Sequence, residues 1–415
     1  MRNKITIPAV LLIAVITMAF YPIDGYEKTG IKRLKRLEKT LDSTITEYYL
    51  RPGSFKLHDQ FNLWLCEDST TMDSTATEKF MTVDETFQDK MTRLFPRRSG
   101  YAITVLDITD PDNTRYAEMN ENQGFQPGSV GKLAVATAFF TQLGKLCPED
   151  FGVRTRLMKN KVVRAGNWGL YDHHTVPVYD PEKDRFVKRK VVASDEFSLY
   201  EWVDHMLSVS NNGAASIVWR EALLMNIFGD QYFDLTQEEA DEFFDNADRG
   251  ELTDIAIGLV NDPLREMGIG EDEWRLGKFF TSGANKYVGR EGGSIGTPKG
   301  LMKWFIELEK GNIVDKQTSL ELKRLMYMTD RRIRYAYSSR LNDAAVYFKS
   351  GSYYSGGGGK YMGTNFNYMN SVIMVEHPDG TNYIVCLMSN ILGKNSASDH
   401  MYLASAIDKA IREDS

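Results

Sequence analysis

The β-rich segments of this chain fall into two groups that are separated by about half of its length. The first group is a hairpin at residues 101–121, and the second lies within residues 344–389. The long stretch between them, about 129–335, has mainly helical periodicity. Strands so far apart in sequence can share a sheet if the helical stretch forms a lobe of its own. The sequence therefore predicts an α+β domain with a mostly antiparallel sheet and an inserted helical lobe.

Helices complete this pattern on both sides of the strands. Residues 83–95 have amphipathic spacing ahead of the hairpin, and residues 398–412 predict a final helix. Inside the helical stretch, the acidic segment 235–254 predicts a solvated helix pair. Thr297-Pro298 is a favourable N-cap and N1 pair for the helix that follows. The second strand group divides into predicted strands at 344–351, 370–376 and 382–389.

The first 20 residues have the features of an export signal. Arg2 and Lys4 precede an apolar run at residues 5–20, which is slightly short for a membrane-spanning helix. Thr17-Met18-Ala19 offers a small-x-small cleavage site, and a buried N-terminal helix is the alternative interpretation. We expect an exported protein that is periplasmic, or is associated through residues 5–20 with the outer side of the cytoplasmic membrane.

Residues 21–80 form an N-terminal extension and linker ahead of the main domain, which we place at 81–415. Apolar residues recur at helical spacing at Ile31, Leu34, Leu37 and Leu41. The basic residues among them favour either a solvated face or contact with anionic lipid head groups. Residues 48–65 have strand-like aromatic content, and the small polar segment 67–78 predicts a linker.

Charge and composition argue against several kinds of site. The net charge of −7 offers no basic face for nucleic acid. Three scattered cysteines are not a disulfide framework, and neither they nor the six histidines have metal-ligand spacing. His173 and His174 are adjacent, so on a strand their side chains would point to opposite faces. We therefore expect no nucleic acid, metal or cofactor, and the sequence leaves the oligomeric state open.

Ser129 and Lys132 stand where a polar turn leads into a long apolar stretch. Residues three apart share a helical face, so the lysine amine can reach the serine hydroxyl. Serine is a poor nucleophile until a base takes its proton, and lysine can serve when its pKa is lowered. Backbone N–H groups at a helix start would also stabilise negative charge on a bound carbonyl oxygen. The pair predicts a nucleophile and its base, although a serine N-cap followed by an unrelated lysine has the same pattern.

Two further short motifs lie downstream of this pair. Ser210-Asn211-Asn212 is the one S-x-N sequence in the chain, and it follows the helix-like segment 199–207, which places it in a turn between helices. Lys349-Ser350-Gly351 ends an apolar strand, where glycine permits close approach of a ligand to the backbone. Lys28-Thr29-Gly30 has the same form, but it precedes the serine and lies beside the export signal, so we set it aside.

In the order S-x-x-K, S-x-N and K-[ST]-G, the three motifs match the set of class A β-lactamases and penicillin-binding proteins. The chain therefore resembles the penicillin-recognising serine hydrolases, and class A β-lactamases in particular, over residues 83–412. The segment MLSVSNNGAAS is similar to the family's M-x-x-x-S-D-N-x-A-A-N, with Asn211 where aspartate is usual. The resemblance implies a five-stranded antiparallel sheet flanked by N- and C-terminal helices, plus an all-helical lobe.

The resemblance also implies which residues carry the chemistry. Ser129 would be the acylated nucleophile and Lys132 the base for acylation. Ser210 would relay a proton to the leaving nitrogen of the substrate. The positive charge of Lys349 would help to lower the pKa of Lys132 by like-charge repulsion.

Five residues would bind the substrate in the same resemblance. Asn212 would hold the amide side chain of the substrate. Lys349 would attract its carboxylate, and Ser350 would donate a hydrogen bond to that group, with Gly351 completing the motif. The oxyanion hole would combine the backbone N–H groups of Ser129 and Ser352.

One element of the class A pattern is missing from the sequence. Those enzymes use a glutamate, in an E-x-x-L-N motif, to activate the water that hydrolyses the acyl-enzyme. No such motif occurs between Asn212 and Lys349, and an alignment on Asn285 places Thr281 at the glutamate position. The glutamates that lie nearby, out of register or outside the stretch, are Glu271, Glu273 and Glu291. Acylation would be retained and fast hydrolysis lost, which favours a slow hydrolase or a peptidoglycan-directed enzyme.

The sequence leaves three functions open. The first is an exported serine hydrolase of β-lactamase type, which acts on β-lactams or related amides and would confer antibiotic resistance. The second is a D,D-peptidase or transpeptidase of penicillin-binding-protein type, which acts on peptidoglycan stem peptides. The third is a non-catalytic cell-wall binding protein, against which the intact Ser129, Lys132 and Lys349 argue. The glycine-rich segment 352–361 predicts either a surface loop or a flap that gates the substrate.

Overall fold

The computed structural model of the protein describes residues 24–38, 56–66, 75–97, 100–329, 332–353, 368–390 and 396–413. The predicted export signal at residues 1–20 lies outside these ranges, as does most of the glycine-rich segment 352–361. In the described part of the chain, no helix combines the length and the apolar composition needed to cross a membrane.

Helices lie before, between and after the strands of the main sheet. In chain order, the α-helices of the described residues are α1 (Gly25–Thr29), α2 (Lys32–Glu38), α3 (Thr75–Lys79), α4 (Glu85–Thr92), α5 (Lys132–Leu146), α6 (Phe151–Asn160), α7 (Leu199–Leu207), α8 (Asn212–Phe228), α9 (Gln237–Asn246), α10 (Arg249–Glu266), α11 (Pro298–Lys310), α12 (Lys316–Tyr327) and α13 (Ser396–Arg412). The predicted start of α11 is confirmed, because the Thr297 side chain accepts a hydrogen bond from the backbone N–H of Gly300 at 3.0 Å.

The strands of the described residues are fewer and mostly shorter. In chain order they are β1 (Tyr101–Asp107), β2 (Arg115–Met119), β3 (Val162–Arg164), β4 (Val176–Asp180), β5 (Arg185–Arg189), β6 (Glu196–Ser198), β7 (Trp274–Arg275), β8 (Ile295–Gly296), β9 (Ala345–Tyr353), β10 (Tyr368–Glu376) and β11 (Asn382–Ser389). Five of them form the main sheet in the order β2-β1-β11-β10-β9.

Every neighbouring pair in the main sheet is antiparallel. Strand β1 lies between β2 and β11, so that Thr104 is opposite Glu118 on one side and Cys386 on the other. The hairpin that precedes Ser129 and the three C-terminal strands therefore combine into one sheet. The predicted α+β fold with a five-stranded antiparallel sheet is confirmed.

The main sheet is covered on both faces, because alternate residues of a strand enter different cores. Ile103 and Val105 pack in a core that also contains residues of α4 and α13. Ala102 and Leu106 belong to the larger core of the helical lobe. All seven residues of β1 are buried as a result. The sheet is thus flanked by the N- and C-terminal helices of the domain on one face and by the helical lobe on the other.

The helical lobe also contains short strands that the sequence did not predict. The pairs β3–β6, β4–β5 and β7–β8 each form a two-stranded sheet. Their strands have two to five residues, which is too few for a clear alternation of apolar and polar positions. In the extension, the described residues 56–66 of the segment with strand-like aromatic content contain no strand, and α3 occupies the end of the segment predicted as a linker. Residues 48–55 and 67–74 lie outside the described residues.

The described parts of the N-terminal extension pack on the main domain. Ile31, which precedes α2, Leu34 of α2 and Phe61 belong to the same core as α5 and α8. Arg33 is buried in an ion pair with Asp204 of α7. The prediction of a solvated or lipid-facing basic surface is therefore wrong for Arg33.

Candidate active site

Ser129 lies on a tight 3₁₀ turn, Gly128–Gly131, that leads directly into α5. The turn is fixed from the sheet side by Asn370 of β10. Its side-chain amide donates to the backbone carbonyls of Gln126 and Pro127 at 3.0 and 3.2 Å, and its oxygen accepts from the backbone N–H of Ser389 at 3.1 Å. A buried amide that is bonded both to the turn and to strand β11 holds the turn against the sheet.

Gly351 allows strand β9 to run against the same turn. A Cβ at this position would lie 2.5 Å from the carbonyl oxygen of Pro127 and 3.1 Å from the backbone nitrogen of Ser129. A Cβ atom does not approach another heavy atom within 3.0 Å in real structures, so only glycine lets the two backbones lie this close. The glycine of the K-S-G motif thus has a packing reason that is independent of any ligand.

Lys132 begins α5 and is completely buried. Its Nζ donates to Ser129 Oγ at 3.1 Å, to the backbone oxygen of Ser210 at 2.6 Å and to Asn212 Oδ1 at 2.7 Å. Burial lowers the pKa of Lys132 to about 7, and the negative charge of Asp172 acts in the opposite direction. A lysine with this pKa is a base at neutral pH, in hydrogen-bond contact with the serine hydroxyl.

The burial of Lys132 follows from the rest of its helix. Leu133, Phe139 and Leu143 are fully buried in the lobe core, and each contributes roughly 1.5–3 kcal/mol to stability. Together they outweigh the cost of dehydrating one amine, which is reduced further by its hydrogen bonds and its lowered pKa. The apolar stretch that follows the S-x-x-K motif therefore places the amine in a dry environment.

Ser210 lies in the turn between α7 and α8, with a left-handed backbone φ of 60°. Its hydroxyl accepts hydrogen bonds from Lys349 Nζ at 2.8 Å and from Lys132 Nζ at 3.3 Å. Burial, followed by the positive charges of Lys132 and Arg334, lowers the pKa of Lys349 well below its ordinary value. Two lysines of reduced basicity thus meet at one hydroxyl, which is a suitable arrangement for passing a proton.

Asp172 anchors the S-x-N segment, and sequence reasoning missed it. Its carboxylate accepts from the backbone N–H of Asn212 at 2.6 Å, from the Asn212 amide at 3.2 Å and from the Gly213 N–H at 3.4 Å. Burial alone would raise the pKa of Asp172, but hydrogen bonds from His174 and Asn212 hold it well below its ordinary value. The negative charge of Asp172 lies at the N-terminus of α8, where it interacts favourably with the helix dipole.

Asn211 has a separate role in the same turn. Its side chain caps α8 by accepting from the backbone N–H of Ala214 at 2.7 Å, and its amide donates to the backbone oxygen of His174 at 3.3 Å. Asparagine is as good an N-cap as the aspartate that is usual in the family pattern. The change at this position therefore leaves the local geometry of the helix start in place.

Ser350 and Ser352 lie on β9 beside Lys349. Ser350 is buried, lines the cleft, and its backbone oxygen accepts from Lys349 Nζ at 3.0 Å. Ser352 is half-buried and pairs in register with Met369 of β10. The structure thus brings Ser129, Lys132, Ser210, Asn212 and Lys349 together, with Ser350 and Gly351 on the adjoining strand. The substrate contacts and oxyanion role assigned to Asn212, Ser350 and Ser352 remain predictions.

The position expected for a deacylating glutamate holds no carboxylate. Thr281 is buried, and its hydroxyl is bonded to the carbonyl of Trp168 at 2.7 Å and to Ser216 Oγ at 2.9 Å. The neighbouring Phe280 places its ring centroid 5.2 Å from Lys132 Nζ. Of the glutamates nearby, Glu273 forms an ion pair with Lys303 at 3.0 Å and Glu271 is paired with Arg275. Glu291 is exposed. Among the described residues, none of these three contacts Ser129 or Lys132.

A cleft of about 310 Å³ opens beside this cluster of residues. Its lining comes from the loop before β4, the β4–β5 hairpin, the end of α7 and strand β9, and includes His174, Lys188, Ser210, Ile333 and Lys349. Its position beside Ser210 and Lys349 makes it the candidate substrate site.

His173 and His174 lie in the loop before β4, not on a strand, and their ring centroids are 4.1 Å apart. The expectation that they point to opposite faces is therefore wrong. With Asp172 they offer three potential metal-ligand atoms within 4.8 Å of one another. Asp172 is already committed to Asn212 and to His174 Nδ1, which lies 2.7 Å from its carboxylate. Burial lowers the pKa of His174, so the neutral ring donates from Nδ1 to that carboxylate.

A fold of this kind, with a serine held between a helical lobe and the edge strand of an antiparallel sheet, defines the class of penicillin-recognising serine hydrolases. The family model described as the beta-lactamase enzyme family matches residues 86–407. The chain belongs to that family. No curated protein matches it.

Solved structures of beta-lactamases share the fold. A beta-lactamase from Chitinophaga pinensis DSM 2588 is 14% identical with a TM-score of 0.51, covering 79% of this chain and 99% of that one. The TLA-3 extended-spectrum beta-lactamase is 14% identical with a TM-score of 0.52, covering 79% and 98%. A mutant of PBP-A, in an acyl-enzyme complex with penicillin G, is 13% identical with a TM-score of 0.50, covering 79% and 97%. At identities this low, the structural likeness shows a common fold and nothing more.

Proposed function

We propose that the protein is a serine hydrolase that is acylated at Ser129 by β-lactams and related cyclic or peptide amides. The observation that carries this proposal is the pairing of Ser129 Oγ with a buried Lys132 amine at 3.1 Å. Because the pKa of Lys132 is about 7, a substantial fraction of that amine is neutral at physiological pH. Nucleophile and base are therefore present in reactive form and in contact.

The proposed acylation proceeds through three proton transfers. Lys132 Nζ takes the proton of Ser129 Oγ while Oγ bonds to the carbonyl carbon of the substrate. The C–N bond then breaks, and the leaving nitrogen takes a proton from Ser210 Oγ. Lys132, 3.3 Å from that hydroxyl, returns the proton it received and becomes neutral again. Lys349, at 2.8 Å, stabilises the hydroxyl oxygen during the transfer.

Binding of the substrate uses the edge strand and the S-x-N turn. We assign the substrate carboxylate to Lys349 and Ser350, because an anion there offsets the repulsion of the Lys349 charge by Lys132 and Arg334. Asn212 holds the amide of the acyl side chain. The backbone N–H groups of Ser129 and Ser352 receive the oxyanion. The acyl-enzyme complex of the PBP-A mutant with penicillin G, which has the same fold, supports penicillins as the first reporter substrates.

A second candidate function is favoured by the Thr281 position. A D,D-peptidase or transpeptidase of penicillin-binding-protein type is acylated by peptidoglycan stem peptides. Such an enzyme does not have to hydrolyse an antibiotic, so it needs no carboxylate at this position. Thr281 is locked to Trp168 and Ser216, and Phe280 covers Lys132 with an apolar ring. A water beside the ester would lack the strong base that rapid hydrolysis requires. A β-lactam acyl-enzyme of this protein would then be long-lived.

We also propose that the protein acts outside the cytoplasm, either periplasmic or anchored on the outer side of the cytoplasmic membrane. Support comes from Arg2 and Lys4 ahead of the apolar run at residues 5–20. Peptidoglycan and β-lactams are encountered in that compartment. Fractionation of cells that express the full chain tests the proposed location. The double variant Ile13→Asp/Val15→Asp, which interrupts the apolar run, is expected in the cytoplasm. Recovery of the unaltered chain in the cytoplasm overturns the proposal.

The central experiment measures the intact mass of the protein against time after a reporter penicillin is added. The Ser129→Ala variant is the matched control. We expect a mass gain equal to the penicillin in the wild type and none in the variant. Rapid decay of the adduct with product release supports a β-lactamase, and persistence for hours favours the peptidase type. If the wild type gains no mass and forms no product, acylation by β-lactams is excluded.

A further inference from the structure

We propose that helix α2 of the N-terminal extension is a positioning element of the active site, which joins three segments of the cleft wall. The proposal rests on the proposed acylation for its kinetic test, but its geometry is independent of the reaction. It gives a role to an extension for which the sequence motifs suggested none. The residues that carry it are Arg33 and Arg36.

Arg33 reaches two parts of the main domain at once. Its Nε and Nη2 each donate to the carboxylate of Asp204 at 2.6 Å, and Nη2 also donates to the backbone oxygen of Met328 at 2.7 Å. The two side chains of the pair are 3% and 0% exposed. A bidentate pair that is buried has a single favourable geometry, so it fixes the separation of the segments that carry it.

Asp204 lies in the last turn of α7, immediately before the turn that presents Ser210. Its backbone oxygen accepts from both the N–H and the hydroxyl of Ser208 at 2.7 Å. The N–H of Asn211 donates to the backbone oxygen of His205 at 3.0 Å. The Ser210 turn is thus built directly on the residues that Arg33 anchors, and its left-handed φ makes it a segment that needs such support.

Met328 lies ahead of another segment of the cleft wall. It is the C-cap of α12, and Ile333, which follows in sequence, lines the cleft together with Ser210 and Lys349. Because Arg33 binds Asp204 and Met328 through one guanidinium group, it connects the last turn of α7, which ends at the cleft residue Leu207, to the end of α12 ahead of the cleft residue Ile333. A change in this connection alters the distance between the two segments.

The β4–β5 hairpin is the third wall segment in contact with α2. The guanidinium carbon of Arg36 lies 4.1 Å from the centroid of the Phe186 ring, within the range of a cation–π interaction. Pro177 and Lys188, which face each other across this hairpin, line the cleft. Helix α2 therefore contacts α7, the end of α12 and the β4–β5 hairpin, each of which carries or leads into a segment of the cleft wall.

The test removes the Arg33–Asp204 pair without leaving a buried charge unpaired. Removing one partner alone would destabilise the fold strongly, whereas replacing both with apolar residues of similar size is often neutral. We expect the double variant Arg33→Met/Asp204→Leu to unfold at nearly the wild-type temperature. Its second-order rate constant for acylation by a reporter penicillin should fall by about tenfold or more, since small displacements of catalytic groups are costly.

Two single variants provide the comparison. Lys32→Met removes the ion pair at 3.4 Å between the half-exposed Lys32 of the same helix and the buried Glu201 of α7. The backbone N–H of residue 32 still donates to the Glu201 carboxylate, so this variant should acylate at the wild-type rate. Arg33→Lys keeps the charge but loses the forked geometry, so an intermediate rate is expected. Hydrogen exchange at residues 205–213 should be faster in the double variant and unchanged in Lys32→Met.

Unchanged acylation and unchanged exchange in a folded double variant overturn the proposal. If the double variant fails to fold, Arg33→Lys decides, and a wild-type rate with wild-type exchange overturns it. If the wild-type protein is not acylated at all, the proposed function fails by itself. Exchange at residues 205–213 then still supports or overturns the role of α2.

Discussion

The carboxylate of Asp172 holds Asn212 by two of its hydrogen-bond donors, the backbone N–H at 2.6 Å and the side-chain amide at 3.2 Å. The oxygen of that amide accepts from Lys132 Nζ at 2.7 Å. A residue outside the three sequence motifs therefore orients one motif and acts on the base of another through a single intervening side chain. Its charge also raises the pKa of Lys132 and so opposes the effect of burial.

Replacing Asp172 by asparagine should slow acylation by roughly 10- to 100-fold, because Asn212 and its contact with Lys132 lose their anchor. Stability should fall by about 1–3 kcal/mol, since amide donors would replace acceptors in a buried network. Acylation kinetics and thermal unfolding measure the two effects. Asp180→Asn, on the neighbouring hairpin, is the control. A wild-type acylation rate in Asp172→Asn would show that Asp172 does not position the site.

The acylation rate should rise as the pH increases through about 7 and then level off. Lys132 acts as a base only when neutral, and its pKa of about 7 means that the neutral form grows above this pH. In Asp172→Asn the midpoint should move to lower pH, because the charge that raises the Lys132 pKa is removed. Single-turnover acylation between pH 5 and 9 measures both midpoints. A flat profile in the wild type contradicts the assignment of Lys132.

Gly351→Ala should abolish acylation, with a loss of at least about 100-fold. The added Cβ would lie 2.5 Å from Pro127 O, so the turn that carries Ser129 must move. A cost of about 1–3 kcal/mol in stability is expected from the overpacking. Gly293→Ala is the control, because a Cβ there meets nothing within 4 Å. Normal acylation by folded Gly351→Ala would disprove the close-approach argument.

Phe280→Glu should shorten the lifetime of the acyl-enzyme by about tenfold or more. The Phe280 ring centroid lies 5.2 Å from Lys132 Nζ, so a carboxylate in its place would supply a base beside the ester. It should also raise the pH midpoint of acylation, since a negative charge raises the pKa of Lys132. Phe280→Gln matches the size without the base. Equal lifetimes for the Glu and Gln variants would contradict this prediction.

The sequence predicted the fold and the residues of the candidate active site, because each motif is recognisable from the spacing of residues that are close in sequence. Ser129 and Lys132 are three residues apart at a helix start, which places them on one face in any helix. Ser210 follows the helix-like segment 199–207, and Asn212 begins the next helix. Lys349 ends a β-rich segment. Local spacing cannot show how these segments meet, and the resemblance to a known family supplied that step.

Residues that depend on tertiary contacts were not predictable in this way. Asp172 lies in an irregular segment 40 residues before Asn212, and no periodic pattern links the two. His173 and His174 were assigned to opposite faces because a strand was assumed, whereas they occupy a loop. Arg33 sits in a basic stretch of ordinary solvated appearance, and only the packing of α2 on α7 provides its partner Asp204.

The order of strands in the main sheet also constrains how the protein is made. Strand β1 pairs with β11 near the end of the chain, and the Ser129 turn rests on Asn370 and Gly351. A growing polypeptide that ends before β9 already contains the S-x-x-K and S-x-N motifs. It lacks the strands that carry Gly351 and Asn370, on which the Ser129 turn packs. Contacts so distant in sequence form late and slowly. Reactivity at the serine would thus appear only when synthesis is nearly finished, and until then one edge of β1 needs protection from wrong pairing.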